Sequence, residues 1–118
     1  MDNKKADLAR LSVRQLRARR RRLARSLGDP ETTLRGSLHG QGRRCGKPGC
    51  RCADGELHGP YLYLSVRRAA ASARLVYVPA ALADAVRRRV SLTEAAEAAL
   101  AEISAINVEL LARRELDP

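Results

Sequence analysis

The chain has 118 residues, enough for one small domain and too few for a large buried core. It contains no Phe or Trp and only three Tyr, so its core must rely on aliphatic side chains and would gain from a bound metal or a partner chain. The longest mostly apolar stretch, 75–83, is too short to span a bilayer, and the charged residues 1–12 contain no apolar signal region. Three cysteines would leave one unpaired in a disulfide framework. We therefore expect a cytoplasmic protein without a membrane segment.

Positive charge is concentrated in the first three quarters of the chain. Residues 1–90 contain 21 Lys and Arg against 7 Asp and Glu, whereas residues 91–118 contain 2 against 6. A small domain with a net charge of +10 attracts phosphate polymers, so DNA or RNA is the first partner to consider. A high Arg and Ala content can also follow from a GC-rich genome, which weakens this inference.

The first predicted helix is basic and covers residues 13–27. Ser12 and Gln15 form a capping-box pattern before it, and Gly28 followed by Asp29-Pro30 ends it. The helix carries seven arginines and no acidic residue. We expect phosphate contacts from it, and the residues assigned to them are Arg14, Arg17, Arg20 and Arg21. The alternative is a solvated face partly paired with the acidic last helix.

A candidate metal site follows in the string RCGKPGCRCADGELH. Its ligands would be Cys45, Cys50, Cys52 and His58, spaced C-x4-C-x-C-x5-H, with glycines and a proline between the first two thiols to turn the loop. Thiolates and imidazole together favour one Zn²⁺, and four protein ligands leave no open position, which predicts a structural site. Three free thiols in a flexible loop are the alternative, and His39 is a competing fourth ligand.

Four cations crowd this loop: Arg43, Arg44, Lys47 and Arg51. They can offset the net negative charge of three thiolates with one Zn²⁺, and they can contact phosphates from a loop that the metal holds in place. The two roles are compatible. A further alternative is a thiol redox sensor built on Cys50 and Cys52, which the same cations would activate.

A β-hairpin is predicted after the loop. Leu34 to His39 is a candidate short strand, Tyr61 to Val66 alternates between apolar and other side chains, and Arg74 to Val78 is rich in β-branched and aromatic residues. The last two would be joined near 68–72, with Leu62, Leu64 and Val66 sharing one face. The tyrosines at 61, 63 and 77 could stack on bases, although we expect them to pack half-buried on the sheet.

Two helices are predicted at the C-terminal end, a short one at 80–89 that Pro79 opens and a long one at 92–114 behind a capping box at Ser91 and Glu94. The long helix has a heptad seam, formed by Leu92, Ala96, Ala99, Ile103, Ile106 and Leu110. The seam can pack against the basic first helix or form a homodimer. Opposite charges favour the basic helix.

The strings RRCGKPGCRCADGELHGPYLYLS at 43–65, LVYVPAALADAVRR at 75–88 and EISAINVELL at 102–111 carry a family resemblance. The chain resembles short, uncharacterised bacterial and archaeal proteins whose core reads RCGKPxCxCxxGxxHGPYxYLS, over residues 34–112. The resemblance implies that the three cysteines and His58 act as one unit and that Gly59-Pro60-Tyr61 starts the hairpin. It implies no activity. Relatives continue a strand up to the first cysteine, whereas Gly40-Gln41-Gly42 disfavours that strand here.

The combined prediction is a small α+β protein with a basic helical segment (1–30), a metal loop with a hairpin and a short helix (31–90), and a coiled-coil-like helix (91–118). The predicted function is a zinc-stabilised nucleic-acid-binding module that contacts the phosphate backbone. The alternatives are a helical interaction or dimerisation module and the redox sensor. We expect no enzymatic activity, because none of the common catalytic motifs is present.

Overall fold

A computed structural model of the chain describes residues 3–67 and 72–118, with side chains from Asp7 onward. Its helices and strands, in chain order, are α1 (Asn3–Arg10), α2 (Val13–Arg25), β1 (Ser37–Arg43), β2 (His58–Arg67), β3 (Ala73–Val78) and α3 (Ala83–Ala112). The predicted α+β class is confirmed. The predicted hairpin turn at 68–72 lies, except for Ser72, outside the described residues. None of the described helices is both long enough and apolar enough to cross a membrane.

The chain divides into two compact units. We call Met1–Thr32 together with Leu92–Pro118 the helical unit, and Thr33–Ser91 the sheet unit. Each unit has its own buried cluster of aliphatic side chains.

The capping box of α2 forms as predicted. The Ser12 hydroxyl accepts from the Gln15 backbone N–H at 3.1 Å, and the Gln15 side chain accepts from the Ser12 backbone N–H at 2.9 Å. These two bonds satisfy backbone donors that have no partner within the helix. α2 ends at Arg25, two residues before the predicted end. The short helix α1 was not predicted, because its residues are mostly polar and give little apolar periodicity.

The predicted break between two C-terminal helices is wrong, because α3 runs without interruption from Ala83 to Ala112. A short 3₁₀ turn, Ala80–Leu82, leads into it after Pro79. Ser91 and Glu94 therefore lie inside the helix, where preceding carbonyls already accept the backbone N–H groups that a capping box would satisfy. Nothing between Arg89 and Leu92 is a glycine or a proline that would force a break.

The predicted seam of α3 packs against the basic helix. Ile106 and Leu110 have no exposed surface, and they form one cluster with Leu16 of α2 and Leu8 of α1. Leu92, at the start of the seam, is 55% exposed. A homodimer through this helix stays a prediction, and the seam residues Ile106 and Leu110 would not be free to form it.

Arg113, directly after α3, makes hydrogen bonds to the C-terminal end of α1. Its guanidinium donates to the backbone carbonyls of Leu8, Ala9 and Leu11, at 3.0, 3.1 and 2.6 Å, and to Glu109 at 2.7 Å. A helix leaves its last carbonyls without partners in the next turn, so one arginine here supplies donors to several acceptors at the end of α1.

Leu110→Ala is expected to destabilise the helical unit by about 2–5 kcal/mol, because it opens a cavity in a fully buried cluster. The adjacent residue supplies a matched control: Leu111 is 57% exposed, and Leu111→Ala should change stability by less than about 0.5 kcal/mol. Chemical denaturation followed by circular dichroism measures both. Equal effects of the two substitutions would contradict the packing described for α3.

The sheet unit is built on a three-stranded antiparallel sheet of order β1-β2-β3. The predicted hairpin is confirmed, with Leu64 opposite Val76 and Leu62 opposite Val78. Leu64 and Val78 are buried with Val90 of α3, and further aliphatic side chains pack around them. One face of the sheet is therefore occupied by the core of this unit.

Strand β1 lies further along the chain than predicted. It begins at Ser37, three residues after the predicted start at Leu34, and continues through Gly40-Gln41-Gly42 to Arg43. It pairs with β2 along this length, with a register shift between Gln41 and Arg43. Ladder hydrogen bonds come from the backbone, so glycines in an edge strand weaken the pairing without preventing it. This register places Arg43 opposite His58 and brings the two ends of the metal loop together.

Candidate metal centre

The loop that carries the candidate ligands joins two paired strands. It leaves β1 after Arg43 and enters β2 at His58. Gly46 and Gly49 adopt φ of 75° and 82°, a region that glycine enters without a steric penalty, and the loop turns back on itself between them. A 3₁₀ turn at Arg51–Ala53 then positions Cys52, which is 2% exposed.

Four side chains converge in this loop. The Cys45 and Cys52 sulfurs are 3.5 Å apart, and the Cys50 sulfur lies 3.2 Å from Nε2 of His58. The ligand atoms of all four residues lie within 4.8 Å of one another. His58 thus supplies the imidazole of this cluster. His39, the competing candidate, lies on β1 opposite Tyr63 and is not a member of it.

The cluster fits a tetrahedral metal ion. Two sulfurs bound to zinc at about 2.3 Å in tetrahedral geometry lie about 3.8 Å apart, and a sulfur and an imidazole nitrogen lie slightly closer. The observed separations bracket these values, so shifts of about 1 Å or less bring the donors to bonding distance. Cys45, Cys50, Cys52 and His58 can together hold one metal ion.

A backbone N–H group favours the thiolate form of Cys52. The Cys45 N–H donates to the Cys52 sulfur at 3.3 Å and, with hydrogen bonds from the Cys45 and Cys50 thiols, lowers the pKa of Cys52 to about 7. The pKa of Cys45 is raised: the Lys47 N–H lowers it, but hydrogen bonds with the other two thiols and desolvation outweigh that effect. Cys52 therefore reaches the thiolate form that metals bind at a lower pH than an ordinary cysteine.

The loop cations have different surroundings. Arg44 donates to the carbonyl oxygens of Cys52 and Ala53, and so holds the far side of the loop closed. The Arg43 guanidinium lies 5.0 Å from the centre of the Tyr63 ring, a cation–π contact. The side chains of Lys47 and Arg51 are exposed, and neither side chain makes a hydrogen bond or ion pair with any residue that the structure describes.

Part of the predicted contact set on α2 is engaged by the C-terminal segment. Arg20 donates to both carboxylate oxygens of Asp117, at 3.0 and 3.1 Å, and this contact lowers the pKa of Asp117. Arg17 donates to the backbone carbonyl of Glu115 at 2.9 Å. Arg14 and Arg21 are exposed and have no ion pair within the described part of the chain. Of the four predicted phosphate-contact residues of α2, Arg17 and Arg20 are thus bonded to the C-terminal segment, whereas Arg14 and Arg21 have no ion pair among the described residues.

The two units differ in net charge. The sheet unit contains 11 Lys and Arg against 3 Asp and Glu, and the helical unit contains 12 against 10. Most of the excess positive charge therefore belongs to the unit that carries the metal loop.

The sequence analysis named the three tyrosines as a group, and the structure adds how their rings are arranged. The Tyr77 ring centre lies 5.8 Å from that of Tyr63 and 6.3 Å from that of Tyr61, with both pairs edge to face. The pairing within the hairpin predicts that the three tyrosines share one face of the sheet. Tyr61 and Tyr63 lie on the same face of β2, and the register places Tyr77 opposite Tyr63. All three were expected to be half-buried on the sheet. Tyr61 and Tyr77 are 37% and 50% exposed, whereas Tyr63 is more deeply buried, at 5% exposed.

These features define a small α+β protein in which a loop between two paired strands gathers three cysteines and one histidine as a candidate metal-binding cluster. The chain belongs to the family described as Domain of unknown function (DUF6788), whose family model matches residues 13–88. The match includes α2, the metal loop, the whole sheet and the first residues of α3. Comparison with curated proteins and with solved structures finds no match.

Proposed function

We propose that this protein is a zinc-stabilised module that binds nucleic acid through its phosphate backbone. The observation that carries the proposal is the charge of the sheet unit, which has 11 basic against 3 acidic residues. The same unit contains the loop whose four candidate ligands can bind one metal ion. Phosphate polymers are the abundant cellular partners for a field of this sign on a small domain.

Zinc is the metal that this donor set favours. Thiolates are poor ligands for Mg²⁺ and Ca²⁺, and three sulfurs with one imidazole form a set common in structural zinc sites. The sheet unit has few fully buried side chains, of which Leu64, Val78 and Val90 form its core cluster. A metal that closes the loop would supply stability that this core lacks. With four protein ligands, zinc would have a structural role, and we propose no catalysis.

A closed loop would present its cations in a defined arrangement. Lys47 is two residues from Cys45, and Arg51 lies between Cys50 and Cys52, so metal binding restricts the backbone under both. Their exposed charges would meet successive phosphates, with Arg43 at the edge of the sheet. Arg44 would contribute by holding the loop closed. Arg14 and Arg21 on α2 would form a second, independent patch.

Binding measured across a salt series tests this function. The purified, metal-loaded protein is titrated with random duplex DNA and with RNA of the same length between about 50 and 200 mM salt. Four or five phosphate contacts predict a log–log slope of about −3 to −4.5, because each contact contributes about −0.7 to −0.9. An affinity that does not change with salt, or no binding to either polymer, would contradict the proposal.

A further inference from the structure

The three aromatic residues of the chain all lie on one face of the sheet. Tyr63 and Tyr77 are register partners on neighbouring strands, and Tyr61 lies two residues from Tyr63 along β2. Side chains alternate between the two faces of a strand, so all three project away from the face that Leu64 and Val78 bury in the core. The aromatic side chains are thus absent from the aliphatic core that would gain most from their size.

Two of the three rings are accessible to a ligand. Tyr63 is buried between its neighbours and forms the floor of the cluster, whereas Tyr61 is 37% and Tyr77 50% exposed. The edge-to-face contacts of Tyr77 with Tyr61 and with Tyr63 hold the rings at defined angles, 67° and 63°. Rings held in this way lose little conformational entropy when another flat molecule stacks on them.

Cations border this aromatic surface. The three tyrosines line an open depression of about 540 Å³, together with Arg43, Arg44, Cys45 and His58. Arg43 lies over the Tyr63 ring, and two of the other lining residues belong to the metal cluster. The depression therefore combines exposed aromatic rings with positive charge, and it lies within the unit that holds most of the excess charge.

We propose that this tyrosine face stacks unpaired bases, so that the preferred ligand is a single-stranded nucleic acid. Stacking needs an exposed base face, which a duplex conceals within its own stack, and every base offers one regardless of sequence. A positively charged groove beside aromatic side chains is the arrangement expected for binding single strands without sequence readout. The inference rests on the proposed function for its phosphate contacts and adds the bases as a second point of recognition.

Three probes of equal length separate stacking from charge. They are a single-stranded oligonucleotide of thymidine, an oligonucleotide of abasic sites with the same number of phosphates, and a duplex. We expect the thymidine strand to bind at least fivefold more tightly than the abasic strand, from about one stacked base. The chain has no Trp, so its intrinsic fluorescence comes from these three tyrosines alone. The emission should be quenched by the thymidine strand and not by the abasic strand.

Substitutions at Tyr77 test the assignment to this face. Tyr77→Leu should remove most of the preference for thymidine over abasic strand, and Tyr77→Phe, which keeps a ring, should retain it. Tyr61→Leu gives a second test on the neighbouring strand if Tyr77→Leu impairs folding, and zinc content with circular dichroism reports folding for each variant. Lys47→Gln should weaken binding of the thymidine and the abasic oligonucleotide by the same factor.

The outcomes distinguish this inference from the proposed function. Salt-dependent binding with equal affinity for thymidine and abasic strands would overturn base stacking and leave phosphate binding intact. A preference for the duplex, or a preference for thymidine that survives both leucine substitutions, would also overturn it. Failure of all three probes to bind would overturn the proposed function and this inference together.

Discussion

The Cys52→Ser variant is expected to lose its bound zinc and, with it, most of the folded structure of the sheet unit. Cys52 is the buried member of the ligand set, it accepts the Cys45 N–H, and its carbonyl holds Arg44. Structural zinc contributes about 10–16 kcal/mol to the folding of zinc-finger peptides at neutral pH, more than the net stability of a typical domain. Elemental analysis and thermal unfolding, each with and without a chelator, measure the effect. The unsubstituted protein should retain about one zinc per chain under reducing conditions.

The two histidines provide a matched control for the metal site. His58→Ala should lower zinc affinity by more than about 100-fold, because changes outside the ligand set already cost 10–100-fold. His39 lies exposed on β1, outside the cluster, so His39→Ala should leave zinc affinity unchanged. Competition with a chromophoric chelator gives both values. Less than half an equivalent of zinc in the unsubstituted protein would contradict the proposed metal site. A disulfide that forms reversibly in that metal-free protein would support the redox alternative.

Neutralising the two unpaired loop cations is expected to weaken nucleic-acid binding by about tenfold. Lys47→Gln and Arg51→Gln should each cost about threefold, since an exposed ion pair is worth up to about 1 kcal/mol. Each should also reduce the magnitude of the salt slope by about one, because one phosphate contact is lost. Fluorescence anisotropy with a labelled oligonucleotide, measured at several salt concentrations, provides both quantities.

Arg87 supplies the control for net charge. It belongs to the same unit, is largely exposed, and pairs with Asp84 at 3.5 Å on α3. Arg87→Gln removes the same charge, yet it should leave the salt slope unchanged if the loop makes the contacts. An equal loss with Arg87→Gln would show that binding follows net charge and not the loop. A larger loss with Arg14→Gln and Arg21→Gln would move the main contact surface to α2.

Local signals account for the parts of the fold that were predicted correctly. The capping box needs only Ser12 and Gln15, which are three residues apart, and the hairpin follows from alternation within β2 and β3. The seam of α3 was also readable, because Ile106 and Leu110 repeat at helical spacing and must be buried against something. The candidate ligands were found for the same reason, since all four occur within fourteen residues.

Features that depend on distant residues were not predictable in this way. Arg20 and Asp117 are 97 residues apart, so their pairing, which reduces the free charge of α2, is invisible to any local pattern. The false boundary at Ser91 arose because a capping-box pattern marks a helix start only where the preceding residues are not already helical, and here they are. The arrangement of the three tyrosines depends on the register between strands, which the sequence specifies only through the hairpin as a whole.

The sequence by itself determined the chemistry of this protein: the excess of positive charge, the identity of the thiol and imidazole donors, and the amphipathic faces that build each element. Those properties depend on the identity and spacing of residues that are near one another in the chain. Only the tertiary structure decided that His58 and not His39 joins the thiols, that most of the excess charge belongs to the sheet unit, and that two tyrosines stay exposed beside Arg43. Each of these depends on strand register or on contacts between segments far apart in the chain, which exist only after folding.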